Sequence, residues 1–385
     1  MSSLTMQVCP AGAGPQGRRR SKAATERATV LAVVDSVSSG RRLMEVVRLV
    51  EGDARVRVFF TVPAGIETDL CVRKFLCSVG ALVVPWSYAT RHPFTLALAA
   101  GSEGVGELTV PTVLMTRRPA ALDATPSATL ALAHAQDRAV VARTHPDAAA
   151  DAQVVGDADF DRLSASSPYR DAYRWALRVL PHQSLIVVAT TESARLPDPM
   201  IELPARLASA LPRAGYRIAV LAHSDAWYGP MRRRMALRLS EGLREGFHVV
   251  APDSDWCAVL TAADLVISDF GLFGPYAAAA GASVAFGAPP CVGPVESDSA
   301  LTALADLAPR MTAGEPLAKQ LAKFTEACPR SAYAGIAARI TSRPGRFAKN
   351  MRRLVYRRLG MAEPASQPAA CPAPPPSLIS RFTVL

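Results

Sequence analysis

The sequence lacks any uninterrupted apolar run of the ~18 residues that a membrane-spanning helix requires. The stretch around Val266–Ala288 comes nearest, and Asp269, glycines and prolines break it. The first residues, Met1–Arg20, contain no apolar segment of the kind a secretory signal carries, so a cytoplasmic protein is expected. The seven cysteines are scattered, with no C-x-x-C pair and no histidine at zinc spacing. That excludes a disulfide framework and a zinc finger and leaves reduced packing thiols. Neither G-x-G-x-x-G nor G-x-x-x-x-G-K-S/T occurs, which sets aside the common dinucleotide and P-loop phosphate sites.

Half of the 385 residues are hydrophobic and 20% are charged, so most of the chain is globular. The length suits two domains, each able to bury a core. The net charge of +10 is concentrated at the two ends. Arg18, Arg19, Arg20 and Lys22 lie in the N-terminal arm; Arg343, Arg346, Lys349, Arg352, Arg353, Arg357 and Arg358 lie near the other end, with no acid among them. The body between is close to neutral, so nucleic acid is not an expected partner.

Residues 1–28 read as a disordered basic arm. Thr29–Val34 is a continuous β-branched run, the mark of a strand buried on both faces. A helix carrying Leu43, Val46, Val47 and Val50 follows, then a strand at Val56–Thr61 and a helix through Phe75. Next come a strand at Ala81–Val84, a helix around Phe94–Ala100 and a strand at Thr112–Met115. Ala120–Asp137 and His145–Asp159 read as loop-rich, flanking a strand at Ala139–Ala142. After Pro181 the alternation restarts, with strands at Leu185–Ala189, Arg217–Leu221, His248–Val250, Leu265–Ser268 and Ser283–Phe286. Helices at Ile201–Leu211, Met231–Leu243, Trp256–Ala262 and Pro275–Gly281 intervene. Two α/β halves are therefore expected, Rossmann-like domains at residues 29–178 and 182–328, each a doubly wound parallel sheet, with a cleft between facing strand ends. Basic helices over residues 329–361 and a Pro-rich tail over 362–385 complete the chain. In the basic part, Phe347, Met351, Leu354, Val355 and Leu359 share one helical stripe.

The segment Asp255–Ala285, DWCAVLTAADLVISDFGLFGPYAAAAGASVA, is the most informative. A buried strand runs into a glycine turn and a small-residue helix, an arrangement that aims backbone N–H groups at a phosphate above the strand end. The helix end supplies about half a positive charge, so no metal is required and no cofactor is expected. The other reading is a plain βα turn. His223 follows the strand Arg217–Leu221 beside Asp225 and Trp227, where an imidazole can accept a proton or bind phosphate; a loop histidine bonded to Asp225 is the alternative. Glu296 stands beyond Ser283–Phe286, where an acid can bind a ribose or simply face water. Ser36, Ser38, Ser39, Gly40 and Arg41 open the first helix and either face a substrate or cap that helix.

TVLAVVDSVSSGRRLMEVV, DARVRVFFTVPAG and GALVVPWSYATRHPFTLALAAG in the first half, with YRIAVLAHSDAWYGP and the glycine-turn segment in the second, resemble the CDP-glycerol glycerophosphotransferase-like (teichoic-acid polymerase-like) family in its actinobacterial branch. That likeness covers roughly Thr29–Leu307 and implies a GT-B fold with a C-terminal helix. It also implies a nucleotide-linked donor, CDP-glycerol or a nucleotide sugar, used in cell-envelope polymer synthesis. By the same resemblance His223 and Asp269 are the catalytic candidates. Gly271, Leu272, Phe273, Gly274, Thr190, Thr191 and Glu296 would hold the donor, and Ser39, Gly40, Arg41, Arg117 and Arg118 the acceptor.

The family's chemistry is thinned here. Where relatives place a His-Gly turn after the strand Thr112–Met115, this chain has Thr116-Arg117-Arg118-Pro119. Where they show Asp-His-Gly-Ser or Asp-Tyr-Ser-Ser, it has Asp269-Phe270-Gly271-Leu272, and a Ser-Thr-Trp-Gly element reads Thr190-Thr191-Glu192-Ser193. Arginine is a fixed charge and a poor base. The competing expectation is thus a catalytically inactive GT-B scaffold, a pseudoenzyme that binds a nucleotide or anion and acts through partners. The helix Arg343–Arg358 either holds the protein at an anionic membrane surface or packs its apolar stripe back onto the first domain.

Overall fold

A computed structural model describes residues 27–117, 119, 122, 128–190, 198–222, 237, 239–240, 246–287, 299–312, 314–327 and 333–379. The chain divides into two compact units, Met1–Ala158 with Arg343–Ala369, and Asp159–Ser342 with Ala370–Leu385.

In the first unit the order is β1 (Ala28–Val33), α1 (Val37–Val47), β2 (Val56–Thr61), α2 (Leu70–Ser78), α3 (Trp86–Ala89), β3 (Leu96–Ala99), β4 (Thr112–Thr116), β5 (Ala128–Leu132), α4 (Ala135–Thr144), α5 (Pro146–Ala149) and β6 (Gln153–Val154). The six strands pair in parallel in the order β2-β1-β3-β4-β5-β6. Val30, Leu31, Leu98, Val113 and Leu114 are wholly buried, as a sheet covered on both faces demands. Three local expectations are overturned. Phe94–Ala100 holds a strand, not a helix: its Leu-Ala-Leu-Ala sequence favours helix locally, but it sits between β1 and β4 with all four side chains buried. Ala139–Ala142 belongs to helix α4, and the strand of this region is β5, inside the segment read as loop. Ala81–Val84 makes a single parallel bridge, Val83 to Phe60. With Gly80 before it and Pro85 after, only two ladder bonds form, Phe60 N–H to Leu82 O and Val84 N–H to Phe60 O.

The second unit contains α6 (Ala158–Ser166), α7 (Arg170–Ala176), β7 (Ser184–Thr190), α8 (Asp198–Ala210), β8 (Tyr216–Ala222), β9 (His248–Val249), α9 (Trp256–Ala262), β10 (Leu265–Ser268), α10 (Phe273–Ala279), β11 (Ser283–Phe286), α11 (Ala300–Leu307), α12 (Leu317–Ala327) and α13 (Ala334–Ile340). Its parallel sheet runs β11-β10-β7-β8-β9. The unit begins at Asp159 rather than beyond Arg178, because Leu163, Tyr173, Leu177 and Val179 fill its core. Asp264 fastens that segment: it accepts from Arg170 Nη2 at 2.6 Å, Arg174 Nη1 at 2.7 Å and the Leu185 N–H at 2.7 Å. The expected helix Met231–Leu243 falls almost wholly outside the described residues, as do residues 1–26 of the expected arm 1–28, while Ala28 opens β1.

The last helix, α14 (Phe347–Arg358), belongs to the first unit. Its stripe Phe347, Met351, Leu354, Val355 and Leu359 is buried with α1 and β2 residues in one apolar cluster. Tyr356, fully buried, donates from its hydroxyl to Asp53 Oδ2 at 2.9 Å. Among the described residues, no helix is long and apolar enough to cross a membrane.

Candidate functional site

A doubly wound sheet opens a crevice where successive strands leave its first strand on opposite sides, at their carboxyl ends. In the second unit that point lies between β7 and β10. The strands are in register from Leu265–Ile186 to Ser268–Ala189, and the Asp269 N–H donates to Ala189 O at 3.3 Å. Thr190 and the turn from Asp269 therefore emerge side by side. Thr190 and Asp269 are both buried, and Ser268 Oγ lies 3.5 Å from Asp269 Oδ1. Gly271 and Leu272 are half-buried in the turn itself. Leu272 stands at the N-cap of α10 and supplies no side-chain hydrogen bond there.

The side chains of the turn are already engaged. Phe270 stacks on Phe286 with ring centroids 4.1 Å apart and planes 13° from parallel, and the Arg310 guanidinium lies 5.0 Å from the Phe270 centroid. Phe273 is buried against Trp256, centroids 5.7 Å apart. A β-carbon on Gly274 would stand 3.1 Å from Leu304 Cδ2, so that glycine serves packing of α10 on α11. His223, Thr191, Glu296 and Arg118 lie outside the described residues.

In the first unit the crevice opens between β1 and β3. Here Asp35, just past β1, abuts Gly101, just past β3, where a β-carbon would fall 1.7 Å from Asp35 Oδ2. Ser36 Oγ donates to Asp35 Oδ1 at 3.1 Å, and Arg42 Nη1 donates to Ala100 O at 3.2 Å. Ser36 is the cap of α1. Its Oγ accepts from the Ser39 N–H, while Ser39 Oγ accepts from the Ser36 N–H, both at 3.1 Å. Gly40 is pressed against Phe75, whose ring a β-carbon would meet at 2.4 Å. Ser39 and Gly40 thus build the helix start. Arg41 is half-buried in its first turn. Arg117 follows β4 at the same end of the sheet, its Nε 3.8 Å from Asp157 Oδ2. Sequence reasoning passed over Asp35. The signal was an acid directly after a buried strand, but Leu96–Ala99 was read as helix, and the crevice needs that strand as its other wall. Among the described residues no group of three or more His, Cys, Asp or Glu side chains is placed to hold a metal ion.

No protein-family model and no curated protein matches the chain. Solved structures do resemble it. The wall teichoic acid polymerase TagF, in a histidine variant soaked with CDPG, has a TM-score of 0.59 at 12% identity over 87% of this chain and 90% of its own. MnaA of S. aureus with UDP has a TM-score of 0.57 at 11% identity, over 89% of this chain and 99% of its own. MurG of Acinetobacter baumannii has a TM-score of 0.50 at 15% identity, over 86% and 99%. What is shared is the fold: two Rossmann-like parallel-sheet units of the GT-B class, with a C-terminal helix.

Proposed function

We propose that the second unit binds a nucleotide-linked donor at the β7–β10 crevice, in a transferase-like protein of cell-envelope polymer synthesis from the actinobacterial branch. The observation that carries this reading is the convergence of Thr190 and the Asp269–Leu272 turn at the switch point of the sheet. A phosphate there would be held by backbone donors and no metal. TagF with CDPG and MnaA with UDP share the fold, which supports a nucleotide diphosphate ligand and favours CDP-glycerol or a nucleotide sugar. Asp269, and His223 beyond the described residues, would be the groups to handle a proton. Thr191, Glu296, Arg41, Arg117 and Arg118 complete the proposed donor and acceptor contacts. Asp35 adds a carboxylate at the corresponding crevice of the first unit.

A second reading rests on Phe270. The place where the resembling family carries an imidazole or hydroxyl is occupied by a ring stacked on Phe286 and in contact with the Arg310 guanidinium. That observation favours an inactive scaffold that binds the nucleotide without transferring it. Both readings require binding. A thermal-shift series with CDP-glycerol, CMP, UDP and UDP-sugars tests it: a ligand at 100 times its dissociation constant stabilises by about 2.7 kcal/mol. The shift is expected for at least one nucleotide and is lost in Gly271→Trp. A shift unchanged by Gly271→Trp removes the crevice from the proposal.

A further inference from the structure

The basic helix contributes a second feature, independent of the nucleotide reading. On the first unit, α14 and the β6 edge border an open surface cavity of about 540 Å³ lined by Gln153, Val154, Val155, Asn350 and Leu354 together with five cations, four of them exposed. Those cations are Arg343, Arg346, Lys349, Arg353 and Arg357, and no carboxylate lines the cavity. Their spacing explains the clustering. From Arg346 the helix brings Lys349, Arg353 and Arg357 onto one face at intervals of three or four residues. The row is about 16 Å long at 1.5 Å per residue.

The wall is fixed in place. Asn350 Nδ2 donates to Val155 O at 3.1 Å, tying the helix to the chain just past β6. Gly156, at φ 104°, lets the Arg343 backbone approach, since a β-carbon there would meet Arg343 O at 3.0 Å. Like charges three and four residues apart disfavour a helix, and here the buried apolar face holds it regardless. Acids stand near some of these cations: Glu363 Oε1 lies 3.7 Å from the exposed Arg353 Nε, and Asp151, paired with Arg358 outside the lining, also lies in the field of Arg357. Among the described residues neither Arg346 nor Lys349 has an ion pair.

We propose that this cavity binds a soluble ligand bearing several linked phosphate groups. A row of guanidinium and ammonium groups suits multiple phosphate oxygens, and a concave wall encloses a small polyanion better than it fits a flat bilayer. A helix lying on a membrane also needs its apolar face free, whereas Met351 and Val355 are completely buried in the unit's core.

The test is calorimetric titration of the full chain with sodium tripolyphosphate, beside sedimentation with phosphatidylglycerol and phosphatidylcholine vesicles. Saturable tripolyphosphate binding that weakens as salt rises is expected. Arg346→Gln/Lys349→Gln/Arg353→Gln should weaken it about 100-fold, at about fivefold per cation. The control Arg73→Gln/Lys74→Gln/Arg91→Gln removes the same charge from exposed positions outside the cavity and should leave binding within about twofold. Circular dichroism checks that each variant is folded. Gly271→Trp should bind tripolyphosphate as the parent does, whether or not it binds nucleotide; loss there moves the anion to the second unit and overturns the proposal. Equal losses in the two triple variants, or binding to phosphatidylglycerol vesicles without binding to tripolyphosphate, overturn it as well.

Discussion

His248 lies on β9, the edge strand of the second sheet, and its Nε2 accepts a hydrogen bond from Arg217 Nη1 at 2.7 Å. Burial, with the neighbouring charges of Arg217 and Arg178, pushes its pKa down to about 4 from 6.5. The unfolded chain therefore takes up the proton first as pH falls, and stability drops between about pH 6.5 and pH 4. Allowing for solvent screening of a half-buried group, this histidine should cost about 1 kcal/mol over that window. Thermal melts of the parent at pH 7 and pH 4.5 should differ more than those of His248→Gln. A parent and variant with the same slope would show that His248 is not the titrating group. No motif surrounds His248, so its role was illegible in the sequence. Its acid sensitivity comes from burial first, and then from a guanidinium 31 residues away that folding brings against it.

At the scale of elements, α14 adds several polar anchors to its apolar contacts, and Tyr356 supplies the buried one. Tyr356 donates to Asp53, which is also held by Arg55 Nη2 at 2.7 Å. Burial first, and then the adjacent Asp53 carboxylate, push the tyrosine up to about 12. Tyr356→Phe keeps the packing and removes one charge-assisted bond, so a loss of about 1–2 kcal/mol is expected in urea unfolding. A loss below about 0.5 kcal/mol would assign the attachment of α14 to its apolar stripe and its other polar contacts. That stripe was legible beforehand, since five apolar residues at helical spacing need a partner surface. Which surface they would take was not. The opposite lesson comes from β3: Leu-Ala-Leu-Ala has no strand propensity to detect, and only its place between two neighbouring strands makes it extended.

For the whole molecule the open matter is turnover. On the proposed reading, this chain has Phe270 and Leu272 where the resembling family carries a proton acceptor or a hydroxyl. Loss of a charge-stabilising donor costs on the order of 100-fold in rate, and loss of a general base about as much. CDP-glycerol turnover should therefore be at least about 100-fold below that of an enzyme retaining those groups. Turnover at a relative's level that disappears in His223→Ala would instead make His223 the base. The sequence by itself determined the class of architecture: two buried-strand alternations, a glycine turn after Leu265–Ser268 and a stripe on the last helix are local patterns that burial on two faces, or on one, must impose. It also placed Thr190 and Asp269 after strands. Only the tertiary structure decided that β7 and β10 are neighbours, that Asp35 abuts Gly101, and that five cations on and just before the last helix line one cavity. Strand order and helix docking are settled by which distant apolar surfaces exclude water together, and no local pattern carries that information.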